Sequence, residues 1–125
     1  MPGATVVALA FTALPAAPAA AASHDFRCAS DNHWCIGAFV KHGHRSLDVA
    51  IFHVHGRYRV CVTPPGAGQR ETCQTYTLVL NGAGAMASSV RFTKHFPHTR
   101  SGRYHVRWIV GGKQLGPTLW FAYWP

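Results

Sequence analysis

The chain has 125 residues, with 12 Lys and Arg against 4 Asp and Glu, 9 His and a formal net charge of +8. A chain of that length is expected to hold one domain at most. So few acids leave little material for paired-carboxylate catalysis.

The first segment to be read is the N-terminus. An apolar run from Thr5 to Leu14 leads into Ala16-Ala17-Pro18-Ala19-Ala20-Ala21-Ala22, and the whole stretch is uncharged. This pattern predicts a secretory signal peptide over residues 1–22, cleaved near Ala22, although no Lys or Arg precedes the apolar run. Pro15 and Pro18 break the stretch, so a membrane-spanning helix is disfavoured. Residues 23–125 are then an exported domain that keeps every charged side chain, with no transmembrane segment after processing.

Short strands divided by turn signals follow, with no helical periodicity. Trp34 to Lys41 is the first, ending at His42-Gly43-His44. Ser46 to His55 is the second, with Leu47, Val49 and Ile51 alternating toward a core. Arg57 to Thr63 and Thr72 to Leu80 read as a hairpin across Thr63-Pro64-Pro65-Gly66-Ala67-Gly68. Asn81 to Ala85 is a loop, and Ser88 to Phe96 is a strand that stops at Pro97. Arg103 to Val110 and Leu115 to Trp124 form the last pair, joined by Gly111-Gly112, a tight-turn signal. About seven strands of this kind predict an all-β, immunoglobulin-like antiparallel sandwich, which covers both apolar faces.

The four cysteines, Cys28, Cys35, Cys61 and Cys73, imply two disulfides among three formal pairings. If Cys61 faces Cys73, Val60 opposes Gln74 and Tyr58 opposes Tyr76. The apolar side chains Tyr58, Val60 and Val62 then share a face with Tyr76, Leu78 and Leu80. The Cys61–Cys73 bridge sits on the outer face, and Cys28–Cys35 closes a short loop around Asp31, Asn32 and His33. Paired Cys-x-x-Cys spacing for a zinc ribbon is absent from the sequence.

One strand pattern occurs twice: Gly56-Arg57-Tyr58-Arg59-Val60-Cys61-Val62 and Gly102-Arg103-Tyr104-His105-Val106-Arg107-Trp108. Alternation places Tyr and Val on the core face and the cations on the other. Two copies inside one sandwich-sized unit are read as similar strands, not as a repeat array. The second copy resembles the penultimate strand of immunoglobulin-like and fibronectin-type bacterial domains, in which the Tyr sits at a corner. The whole mature chain resembles a group of small secreted proteins of actinobacteria through Tyr58 to Pro65, Phe96 to His98 and Leu115 to Pro117. That resemblance implies the fold and export, and no activity. An in-sheet Cys61–Cys73 bridge departs from true immunoglobulin domains, whose bridge crosses the core.

In an immunoglobulin-like layout the two Gly-Arg-Tyr strands share a sheet. Arg57, Arg59, Arg103, His105 and Arg107 are then expected to form a basic ladder of donors suited to phosphate or carboxylate. Like charges placed opposite each other cost stability, which argues for counter-ions or a ligand. The pairs His42/His44 and His53/His55 are weak metal candidates, each placing two imidazoles on one side of an extended backbone. Serines lie in no Gly-x-Ser-x-Gly turn, and Asp48 reads as a surface carboxylate paired with an Arg. Phe92, Tyr104, Trp108, Leu119 and Phe121 are expected in the core. Trp120 and Trp124, of opposite parity to Leu119, cover the sandwich edge or offer a sugar-stacking surface.

The expectation is a secreted, non-enzymatic binding or structural module without cofactor. Its expected partner is an anionic polysaccharide or wall polymer, with no specific nucleic acid. The alternatives are divalent metal binding through the His-x-His pairs, and a secreted inhibitor or toxin that inserts the Thr63–Thr72 loop.

Overall fold

The protein is seen in a computed structural model that describes residues 24–125; the signal peptide expected over residues 1–22 lies outside the described residues. Among these residues nine strands form: β1 (Phe26–Cys28), β2 (Trp34–Lys41), β3 (His44–Ile51), β4 (Arg57–Thr63), β5 (Thr72–Thr77), β6 (Val79–Leu80), β7 (Met86–Arg91), β8 (Gly102–Val110) and β9 (Lys113–Tyr123). One helical turn, α1 (Phe92–His95), follows β7. The strands make two antiparallel sheets, ordered β1-β2-β3-β7-β6 and β5-β4-β8-β9. The expected antiparallel sandwich is therefore what the chain forms. With β1 set aside, the two orders are the ABED and C′CFG orders of an immunoglobulin-like layout. The strands beyond the expected seven are β1 and β6, which are only three and two residues long.

Alternation decides the core. Ile36, Leu47, Val49, Val60, Val62, Tyr104, Val106, Trp108, Leu119 and Phe121 are all buried between the sheets. The Tyr58 hydroxyl reaches across from β4 and donates to Ser88 Oγ on β7 at 2.6 Å, and burial pushes its phenol up from the ordinary range. Tyr104 sits at a corner, its hydroxyl donating to the carbonyl of Arg100 at 2.7 Å. Arg45 closes one end of the core. Its guanidinium donates to the carbonyls of Ala38 and Ala122 and lies 4.9 Å from the centre of the Phe121 ring.

Both disulfides join neighbouring strands of one sheet: Cys28–Cys35 between β1 and β2, and Cys61–Cys73 between β4 and β5. Tyr58 faces Tyr76 and Val60 faces Gln74, the register expected from the cysteines. Gly111 and Gly112, at φ 62° and 79°, make the two-residue turn between β8 and β9. Positive φ at both centres is what a type I′ hairpin turn demands.

Several boundaries differ from expectation; β7 and β9 each start two residues early, at Met86 and Lys113. The second strand starts two residues early, because His42 and Gly43 (φ 51° and 80°) make a tight turn that pairs Lys41 with His44. It stops at Ile51, where the chain leaves for the other sheet, and His53 takes φ 62°. The expected strand Thr72–Leu80 breaks at Leu78, which is buried and donates its N–H to the Gly56 carbonyl. Leu80 therefore joins the other sheet and is 64% exposed instead of sharing the core face of Tyr76. The expected strand Ser88–Phe96 ends at Arg91 and becomes a helical turn. That turn puts Phe92 and Phe96 on one buried side, with rings 6.3 Å apart.

Candidate functional site

The outer face of the β5-β4-β8-β9 sheet is where the sequence points. β4 and β8 are hydrogen-bonded neighbours, so the two Gly-Arg-Tyr strands do lie side by side. Their antiparallel register spreads the cations out. Arg59 faces Ile109, Cys61 faces Arg107, and Thr63 faces His105. No arginine opposes another across β4 and β8, so the expected like-charge cost of a ladder does not arise. Arg57 and Arg59 lie toward one end of the face, with Arg103 and His105 toward the other. From Arg57 to Thr63 the face runs about 20 Å at strand rise.

The five predicted residues have different surroundings. Arg107 is forked onto Glu71, its Nε 2.7 Å from Oε2 and its Nη2 2.7 Å from Oε1. Hydrogen bonding to Arg107 holds the Glu71 carboxyl below the usual carboxylate range, and the same contact raises Arg107. This pair lies beside the Cys61–Cys73 bridge, with Glu71 Oε1 3.8 Å from Cys73 Sγ. Glu71 and both cysteines bring their ligand-type atoms within 4.8 Å of one another. The sulfurs are bonded to each other, so no thiolate is on offer to a metal.

Arg103 stacks its guanidinium 3.7 Å from the centre of the Trp120 ring. His24 stacks on Trp120 as well, with centroids 3.6 Å apart and planes 10° from parallel. Two groups at such distances cannot share one side of an indole, so both faces of Trp120 are covered. That removes it as a sugar-stacking surface, whereas Trp124 is 68% exposed.

Arg57 and Arg59 are exposed and flank a groove of about 490 Å³ lined also by Tyr58, Thr75, Ile109, Gly111 and Gly112. The chain has only four acids. Asp48 is held by Lys41 and Ser46, Glu71 by Arg107, and Asp31 accepts the backbone N–H of His33. The charge of Asp25 acts on Arg45. No ion pair joins Arg57 or Arg59 to a described carboxylate.

Other candidates separate. Asp48 is not a surface carboxylate paired with an Arg: it is 1% exposed, and its partners are Lys41 Nζ and Ser46 Oγ. It faces outward from β3 but lies under side chains of the neighbouring strands. His42 and His53 both have positive φ, so neither His42/His44 nor His53/His55 shares one side of an extended backbone. The Thr63–Thr72 loop is tied at its base by Arg100, whose Nε donates to the Pro65 carbonyl at 2.8 Å. Sequence reading missed Arg45, Trp120 as a stacking partner and the role of Glu71. The signals were the parity of Trp120 with His105 and the scarcity of acids.

Loss of the Arg107–Glu71 pair is a small, measurable effect. A carboxyl held below its ordinary value near 4.5 adds stability above that value and loses it as pH falls through the lower folded value. Glu71→Gln is expected to cost less than about 1 kcal/mol at neutral pH, because water screens this half-exposed pair. Urea titrations at pH 7 and at successively lower pH should show the difference from the parent shrinking once the pH falls below the ordinary carboxylate range.

Comparison with family models, with curated proteins and with solved structures finds no match to this chain.

Proposed function

We propose that this domain is a secreted, non-catalytic binding module that engages an anionic polymer through the outer face of the β5-β4-β8-β9 sheet. The observation that carries the reading is the groove between Arg57 and Arg59. There two exposed guanidiniums lie at i and i+2 on one strand face; neither is salt-bridged to a described carboxylate, and Arg59 acts on Glu71 only through its charge. Such forks suit phosphate, sulfate or carboxylate oxygens. Arg103 and His105 extend the same face, and Arg103 is steadied by Trp120. A repeating polyanion has the length to meet both ends at once. The net charge of +8 draws such a chain in before contact is made. Export and kinship with small secreted actinobacterial proteins belong to the same reading, supported by the N-terminal pattern and by two disulfides. Among the described residues no helix is long and apolar enough to cross a membrane.

The test is binding of a phosphodiester wall polymer and of dextran sulfate over a range of salt concentrations. Arg57→Gln with Arg59→Gln is expected to weaken binding about tenfold or more and to lower the salt slope by about two counter-ions. Adding Arg103→Gln and Arg107→Gln should remove most of what remains. Glu71→Gln frees Arg107 and is expected to tighten binding about two- to threefold. Unchanged affinity and salt slope in the four-arginine variant would sink the reading.

A further inference from the structure

Sequence spacing draws attention to His42/His44 and His53/His55, but the fold brings together a different pair. His33 ends the loop between β1 and β2, and His53 begins the connection from β3 to β4. Their ring centroids are 5.8 Å apart, with planes 33° from parallel. The main chains beneath them are joined, since Phe52 donates its N–H to the His33 carbonyl at 3.1 Å. The Cys28–Cys35 bridge and the Asp31 carboxylate, which accepts the His33 N–H at 2.9 Å, fix the first loop from below. The Phe52 ring lies within 6.4 Å of His33 and 6.2 Å of His53. Both imidazoles are nevertheless exposed to solvent.

His53 is held at φ 62°, a left-handed conformation that costs a side chain such as His energy unless the surroundings impose it. Several other histidines are already engaged. His24 stacks on Trp120, His44 bonds to Arg91, His95 packs on Tyr76, and His98 bonds to the Phe96 carbonyl. The rings of His33 and His53 instead lie beside each other across two loops.

We propose that His33 and His53 form a site for one divalent transition-metal ion of the Cu(II), Ni(II), Zn(II) class. One nitrogen from each ring at about 2.0–2.1 Å from a shared ion puts the ring centres about 5–6 Å apart, and the observed separation falls in that interval. Imidazole nitrogen suits these ions and does not suit Ca(II) or Mg(II), which take oxygen. Two protein ligands leave coordination positions for water, so the bound ion is exchangeable. It ties the β1–β2 loop to the β3–β4 connection, at a site separate from the arginine groove.

The experiment is a calorimetric titration of the untagged protein with CuCl2, NiCl2, ZnCl2 and CaCl2, repeated on His33→Ala, His53→Asn and His42→Ala. Asparagine tolerates the left-handed backbone of His53, so the second variant removes the imidazole without disturbing the loop. Circular dichroism melts of the metal-free variants check that the fold is kept. The expected result is a single ion bound, Cu(II) tightest and Ca(II) not at all. His33→Ala and His53→Asn should each weaken binding at least about tenfold, with His42→Ala unchanged. Copper should also broaden the ring resonances of His33 and His53 before those of the other histidines. Absence of Cu(II) binding to the parent overturns the proposal. So does binding that survives both substitutions or that is lost in His42→Ala.

Discussion

Phe92→Ala is expected to destabilise the domain by about 3–5 kcal/mol, the range for deleting a buried aromatic ring. Phe92 is fully buried, and four rings meet it edge-on: Tyr104 and Phe121 at 5.0 Å, Tyr123 at 5.1 Å and His98 at 6.2 Å. Phe96 stacks on it at 6.3 Å. Such pairs contribute about 0.5–1.5 kcal/mol each beyond burial. The rings come from α1, the segment that follows it, β8 and β9, so little can collapse into the vacated space. Against a total of about 5–15 kcal/mol for a domain, the urea midpoint should fall sharply while the m-value stays constant. Phe92→Leu, which keeps most of the volume, should cost less than half as much. A change below about 1 kcal/mol for the alanine variant would show that α1 is a surface turn and not the hub of the aromatic cluster.

Lys41→Met should have the second-largest effect, about 2–4 kcal/mol. Asp48 sits mid-strand on β3, 1% exposed, with Lys41 Nζ and Ser46 Oγ as its partners. Opposite it is Gly37, where an added Cβ would lie 2.5 Å from the Phe39 ring, so the ring covers that position. Removal of the amine strands a carboxylate beside one hydroxyl, and a lone buried charge of this kind costs several kcal/mol. The Lys41 side chain is 36% exposed, which admits water and keeps the cost toward the lower end. Lys41→Met combined with Asp48→Asn should recover most of the loss. Urea denaturation of the four proteins gives the coupling directly, and a value under about 0.5 kcal/mol would refute the dependence.

Much of this fold was legible because alternation in β2, β4 and β8 is clean. Tyr58, Val60 and Val62 against Arg57, Arg59 and Cys61 leaves one register with Cys73 that keeps every apolar side chain inside. Alternation failed where the chain changes sheets. At Leu78 and Phe92 the backbone turns a corner, and burial there follows the path of the crossover instead of a period of two. The Phe92-x-x-x-Phe96 spacing was the available sign of a helical turn. Asp48 misled for a related reason: an outward-facing position on a central strand reads as solvated, yet Lys41 from the next strand reaches it and Phe39 covers the Gly37 opposite. The basic face was legible as a set of residues but not as a geometry. Antiparallel pairing offsets Arg59 from Arg107, and the Glu71 fork that silences Arg107 comes from beyond the hairpin turn. The meeting of His33 with His53 spans two loops and has no sequence period at all.

Both disulfides run within a sheet, and this sets how the molecule would come apart under load. Nothing covalent clamps one layer to the other except the peptide crossovers themselves. A force that shears the layers is resisted by ring packing, the Tyr58–Ser88 hydrogen bond and the Arg45 clasp on Ala122. Each layer's stapled hairpin can outlast that separation, so the first product of forced opening would be two crosslinked ribbons on one string. Reduction would therefore loosen the ribbons while leaving the seam between them as strong as before.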